Sequence, residues 1–238
     1  MSEVWLDGFD QVQGKRSGGS WQAGAAPKHV GHTTEGLSRN PHGSAAAHPY
    51  PPHTWYTPAH HPYKPRQKIQ ILPLNRSGYA LAHPSGTPET NRAGAIQTEV
   101  EDFASKTPAW SQYSLDCYVE DLIVPICEAC AIDPRNFLPT ADSSGYGTSG
   151  AVRVPASTMF GFNGLTVHAN WHANSHWDQG DIWIEYISAK AAEIMFPAIP
   201  PPPPPPTPPP VDPGPTPEEV AEFLRAVQRW RFQVACNV

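Results

Sequence analysis

The chain has 238 residues, with 16 Lys and Arg against 22 Asp and Glu, for a formal charge of −6. That balance excludes the basic footprint on which general nucleic-acid binding rests. No apolar run approaches the ~20 residues that span a bilayer, and the opening MSEVWLDGFDQVQGK has no apolar stretch of the signal-peptide kind, so neither membrane insertion nor a secretory leader is expected. Cys117, Cys127, Cys130 and Cys236 are accordingly expected to be thiols. The unusual features are 30 prolines and 11 histidines.

Taken in chain order, short apolar stretches at His29–His32, Lys68–Leu72, Ala95–Val100 and Leu165–His168 read as strands. The segment Pro41–Pro65 is too rich in proline for regular structure and reads as a surface loop. Its His48, His53, His60 and His61 stand among Trp55 and Tyr56, either lining a groove that stacks sugars or reflecting accidental composition. A helix is expected from Leu115 to Ala131, with Leu115, Val119, Leu122, Ile123, Ile126 and Cys130 on one face and Pro125 interrupting it. Cys127 and Cys130 lie on that apolar face, which favours core thiols over a metal or redox pair. Phe160 and Phe162 read as core, and Ser143–Gly150, with Tyr146, as a flexible loop. Strands alternating with helical segments indicate an α/β domain.

Fourteen of the 30 prolines fall between Pro197 and Pro217. Such a tract has few backbone donors and a fixed φ, and makes an extended spacer rather than core. The expected organisation is a domain over residues 1–196, a Pro-rich linker over 197–216 and an amphipathic helix over 217–238. Thr216 and Glu219 have capping-box spacing, with Pro217 at the first helical position. Val220, Phe223, Leu224, Val227, Trp230 and Val234 then recur at helical spacing. A lone amphipathic helix cannot bury its apolar face by itself, so it docks on the domain, pairs with another chain, or opens a further module.

Three clusters carry chemistry. Val167–Asp181, VHANWHANSHWDQGD, holds His168, His172, His176 and Asp178. Imidazole and carboxylate together suit Zn²⁺, and three protein ligands with an open position is the catalytic arrangement, though spacing alone leaves the ligand set open. His29–Gly36, HVGHTTEG, is a strand that can deliver His32 to a sheet edge. In Ala95–Glu101, AIQTEVE, strand alternation puts Glu99 on one face with Gln97 and Glu101, while Ile96, Thr98 and Val100 face the other way. The competing reading is an edge strand with a solvated acidic face.

Together these residues resemble the zinc-dependent N-acetylmuramoyl-L-alanine amidases of the type-2 amidase and peptidoglycan-recognition-protein fold, and more closely the amidase domains of endolysins from phages of actinobacteria. The resembling segments run in the family's order: His32–Gly36, then Glu89–Arg92 with Gly94–Val100, then His168 and His176–Asp181. The resemblance implies an α/β fold with a central mixed β-sheet flanked by helices. It implies His32, His168 and Asp178 as Zn²⁺ ligands, Glu99 as the acid/base residue, and His176 as the donor to the developing oxyanion. It gives His172 no role, and His172 is expected to be exposed. Trp171 and Trp177 would wall the cleft or anchor the loop. Gln179 stands where relatives often have Pro, Thr98 where Ile is usual, and Gly31 where a larger apolar residue is common.

The function implied is hydrolysis of the bond between N-acetylmuramic acid and L-alanine in bacterial peptidoglycan, by a phage endolysin held in the host cytoplasm until lysis and acting as a monomer. A non-catalytic peptidoglycan-binding protein of the same fold is the alternative. A scaffold presenting its Pro-rich tract is disfavoured because the tract lacks nearby basic residues, and a zinc peptidase has no HExxH support.

Overall fold

A computed structural model describes residues 2–14, 19–81, 90–144, 152–172, 176–197, 216–223 and 225. The chain forms two compact units, Met1–Ala198 and Ile199–Val238. The first unit is a mixed α/β structure around a six-stranded sheet in the order β1-β4-β3-β5-β2-β6. The strands are β1 (Asp10–Gln11), β2 (Lys28–Thr33), β3 (Thr54–Thr57), β4 (Gln67–Gln70), β5 (Ala95–Val100) and β6 (Gly164–Val167). β3, β5, β2 and β6 run parallel to one another, and β4 is antiparallel to β3. Four strands therefore end at one edge, the side on which open α/β sheets place their sites.

β2 is the least obvious strand, because KHVGHT is mostly polar and yet wholly buried. Most of its polar groups find partners, as buried polar groups generally do, the exception being His32 Nε2, which has no hydrogen-bond partner. Lys28 donates from Nζ to the carbonyls of Ala26 and Ala93. His29 Nε2 lies 3.0 Å from Thr98 Oγ1, which lies 2.7 Å from Thr54 Oγ1. Thr98, which departs from the expected apolar pattern of β5, is thus the acceptor or donor that makes a buried His29 tolerable.

One face of the sheet packs Tyr56, Ile96, Val100, Leu165 and Val167 against helices. These are α2 (Gln112–Tyr118), α3 (Val124–Cys130) and the last helix of this unit, Ile184–Met195. Each large side chain fully buried there, such as Leu122 or Ile126, contributes about 1.5–3 kcal/mol relative to exposure. Between α2 and α3 the turn widens over Val119–Ile123, where the Val124 N–H reaches back five residues to the Val119 carbonyl. That widening answers Pro125, which has no N–H to donate and whose ring would strike a carbonyl of a regular preceding turn. The expected helix thus exists, beginning three residues earlier than Leu115. Cys127 is fully buried, and burial pushes both the Cys127 and Cys130 thiols up, the latter to about 12.

The opposite face packs two smaller clusters, one around Trp55, Ile69 and Ile71, the other around Val30, Ala95, Met159 and Trp171. Phe160 and Phe162 pack partly buried against the second. Here the structure corrects the reading of Pro41–Pro65 as a surface loop. It contains helix α1 (Pro41–Ala47), capped by Asn40, and the buried strand β3. The prolines lie at the helix start and outside β3, where a missing N–H costs nothing. Trp55 and Tyr56 are 4% and 0% exposed, so neither can stack a sugar. His53 and His61 are buried as well. Nor is β5 an edge strand with a solvated acidic face. It lies inside the sheet and every residue of it is buried.

The linker from 198 to 215, Glu89, most of Ser143–Gly150 with Tyr146, and the tail positions Leu224, Val227, Trp230, Val234 and Cys236 lie outside the described residues. In the second unit, residues 217–223 are helical. The Thr216 N–H donates to Glu219 Oε2 at 2.7 Å and the Glu219 N–H to Thr216 Oγ1 at 3.3 Å, the reciprocal pair the spacing predicts. No helix among the described residues is long and apolar enough to cross a membrane.

Candidate metal centre

Three segments distant in sequence meet at the carboxyl edge of the sheet. β2 ends in His32 and Thr33. β5 carries Glu99, whose Cα is the register partner of His32. β6 leads straight into His168, which opens a short turn closed by Asn170. The Asn170 side chain fixes that turn, accepting from the Val167 N–H at 2.8 Å and donating to the carbonyls of Pro139 and Val152, each at 2.9 Å. The chain then returns through His176 to Asp178, whose carbonyl accepts the Ala169 N–H.

His32, His168 and Asp178 are all buried, and one ligand atom from each lies within 4.8 Å of the others. His32 Nδ1 stands 3.0 Å from His168 Nδ1 and 3.7 Å from Asp178 Oδ2. His168 Nδ1 stands 3.1 Å from Asp178 Oδ1 and 3.3 Å from Oδ2. Ligands held at 2.0–2.1 Å around a tetrahedral ion are about 3.3 Å apart, so the spacing of this donor set fits a cation such as zinc. Protonation also fits. Burial, and then the neighbouring His168, push the His32 imidazole well below its ordinary value, leaving it neutral. Burial would raise Asp178, but the hydrogen bond to His168, the imidazoles of His168 and His32 beside it and the Thr33 N–H together hold it below the usual carboxylate range. A neutral imidazole and an ionised carboxylate are the ligand forms. The cluster can therefore hold a metal ion.

Glu99 shares the face of His32 and is 7% exposed, with an Oε2 that has no hydrogen-bond partner. Burial first, then the charges of Asp178 and Glu35, push its carboxyl up to about 8. Glu35, at φ +51, turns back to accept the Thr33 hydroxyl at 2.7 Å and the Ala104 N–H at 2.8 Å, which ties the chain after β2 to that after β5.

His176 stacks on His168 with ring centroids 4.9 Å apart and planes 13° apart, and its Nδ1 lies 3.9 Å from Asp178 Oδ1. It is exposed, at the open side of the cluster. His172 is exposed on a turn, and none of its atoms belongs to the metal-binding group. Trp171 is buried and anchors the loop, while Trp177 is half-buried. Asn170, Thr107 and Tyr118 were not legible as site residues. Their contacts run 31, 72 and 61 residues along the chain, and no local motif signals them.

No family model matches the chain, and no curated protein sequence matches it significantly. Among solved structures it is similar to the crystal structure of a selenomethionine AmpD derivative, at 14% identity and a TM-score of 0.44, over 80% of this chain and 98% of that one.

Proposed function

We propose that the chain is a zinc-dependent N-acetylmuramoyl-L-alanine amidase that acts on bacterial peptidoglycan, in the role of a phage endolysin. The observation that carries this reading is the convergence of His32, His168 and Asp178, with Glu99 buried beside them. These are the residues singled out by the resemblance to that family, and they come from three segments that the fold brings to one edge. The setting would be the host cytoplasm until lysis exposes the wall, with the chain acting as a monomer, without nucleic acid and without membrane insertion.

His32, His168 and Asp178 would hold the ion. A bound Zn²⁺ would supply Lewis-acid polarisation of the scissile carbonyl and acidify an attacking water. Glu99 takes the proton from that water and delivers it to the departing alanine nitrogen. A buried carboxyl with a raised affinity for protons is suited to both steps. His176 approaches from the exposed side and donates to the carbonyl oxygen as negative charge develops there. Asn170 and Thr33 hold the ligand-bearing turn and the Asp178 carboxylate in place.

The test is digestion of purified peptidoglycan followed by mass spectrometry of the products. Stem peptides with a free N-terminal L-alanine, and glycan strands with intact lactyl groups, are expected. Cleavage within the peptide or the glycan sinks the amidase reading, and binding without any cleavage favours the non-catalytic alternative.

A further inference from the structure

Gly31 and Gln179 each stand one residue from a proposed metal ligand, Gly31 before His32 and Gln179 after Asp178. In the fold they lie against each other. A Cβ added at Gly31 would meet Gln179 Oε1 at 2.2 Å and Gln179 Cδ at 2.9 Å, so the carboxamide occupies the room that a side chain at position 31 would take. Gln179 is 2% exposed and tied on two further sides. Its Nε2 donates to the Tyr118 hydroxyl at 3.3 Å, on α2, and its carbonyl accepts the Thr107 hydroxyl at 2.7 Å. Next to it, Gly180 at φ +71 brings its backbone so close to Ala104 that an added Cβ would lie 2.1 Å from the carbonyl oxygen. The loop bearing Asp178 is thus fastened to the strand bearing His32, to the chain after β5, and to α2.

We infer that Gln179 and Gly31 form a coupled positioning pair that sets the distance between the Asp178 and His32 ligand atoms. The carboxamide fills the room that a larger residue at 31 would take. A shift of a few tenths of an ångström at Gln179 carries directly into Asp178, whose Oδ2 also accepts the Thr33 N–H from the end of β2. The inference rests on the metal reading of this site.

The experiment titrates metal-free full-length protein with Co²⁺, following the d–d absorption bands, for the parent, Gly31→Ala, Gln179→Ala and the double variant. Melting temperatures of the metal-free proteins are measured in parallel. Disturbing groups that orient metal ligands typically costs about 10- to 100-fold in affinity. Each single variant is expected to weaken Co²⁺ by that order and to alter the band shape. The double variant is expected to bind more tightly than Gly31→Ala alone, because the added methyl no longer meets the carboxamide. Additive losses, or a Gly31→Ala protein with the parent's affinity and spectrum, overturn the inference while leaving the metal reading intact. A parent that takes up no Co²⁺ overturns both. If Gly31→Ala does not fold, recovery of a folded, Co²⁺-binding Gly31→Ala/Gln179→Gly protein is the expected result, and its failure to fold overturns the coupling.

Discussion

His32 and Glu99 are register partners on adjacent parallel strands, so their side chains leave the same face of the sheet at the same edge. A one-residue slip of β2 against β5 would send one of them to the helix-packed face. The register is held by buried pairs on both sides, His29 with Thr98 and the Thr166 hydroxyl on the His29 carbonyl. The placing of Glu99 and His32, the proposed acid and first ligand, is therefore a property of the sheet rather than of a loop. Glu99→Gln keeps the shape and removes the proposed base. Turnover on soluble muropeptide substrate is expected to fall by about two to four powers of ten, with zinc content unchanged. Near-normal turnover would move the proton-transfer role to another carboxylate.

Zinc should act as a ligand of the folded state. Anything that binds only the folded chain stabilises it, by about 2.7 kcal/mol at a hundredfold excess over Kd. Adding Zn²⁺ to chelator-treated protein should raise the melting temperature and restore activity, with one equivalent bound. His32→Ala and Asp178→Ala should abolish both effects. A zinc content far below one equivalent, with activity indifferent to chelation, rules the assignment out.

The two exposed histidines of the closing loop should separate by rate. His176 stacks on His168 beside the cluster, whereas His172 lies on an exposed turn. Loss of one oxyanion donor typically costs about 10²–10³ in rate, so His176→Ala should lower turnover by that order and retain zinc. His172→Ala should change little. Loss of zinc in His172→Ala would require a different ligand set.

The residues whose chemistry is local were legible in the sequence, and those whose role depends on long-range packing were not. β5 was bounded at Ala95–Val100 as a short apolar stretch, and the structure has the same limits. His32, His168 and Asp178 were singled out by the resemblance, since spacing alone left the ligand set open among His168, His172, His176 and Asp178. β3 was missed, because flanking prolines and histidines outweighed four buried residues that pair with β4 and β5. Composition cannot show that His53 is buried between the Gln97 N–H and the Arg76 carbonyl. Nor could it show that Gly31 and Gln179 fit one another, since 148 positions of sequence separate 31 from 179.

The tail tests the proposed boundary at the Pro-rich tract. Removing everything after Pro200 should leave the melting temperature and soluble-substrate turnover of the remaining chain nearly unchanged. Lysis of intact walls should weaken if the tail raises local concentration at the wall. A large fall in both melting temperature and turnover would make the tail helix part of the amidase domain.

Acid should destabilise the metal-free protein through its buried histidines. His53 Nδ1 accepts the Gln97 N–H at 2.9 Å and its Nε2 donates to the Arg76 carbonyl at 2.7 Å, so the ring is neutral with no room for a second proton. Burial pushes its pKa down to about 4, against the opposing pull of the Arg76 carbonyl. His29 is pushed down to about 3 by burial and then by the charge of His53. Both folded values lie below the unfolded value of 6.5. As pH falls through 6.5 the unfolded chain takes up the protons first, so stability is full above that value and drains away towards pH 4. Each group contributes a slope of up to about 1.4 kcal/mol per pH unit in that window. The melting temperature of chelator-treated protein should therefore fall from pH 6.5 to 5, the buried histidines together outweighing the opposite slope of Glu99, whose carboxyl is pushed up to about 8. His53→Gln removes one titrating group and keeps an amide that can both accept and donate. It should start from a lower melting temperature at pH 7 and fall less steeply below 6.5. Parallel curves for parent and variant would show that His53 is not among the groups that make the fold acid-labile.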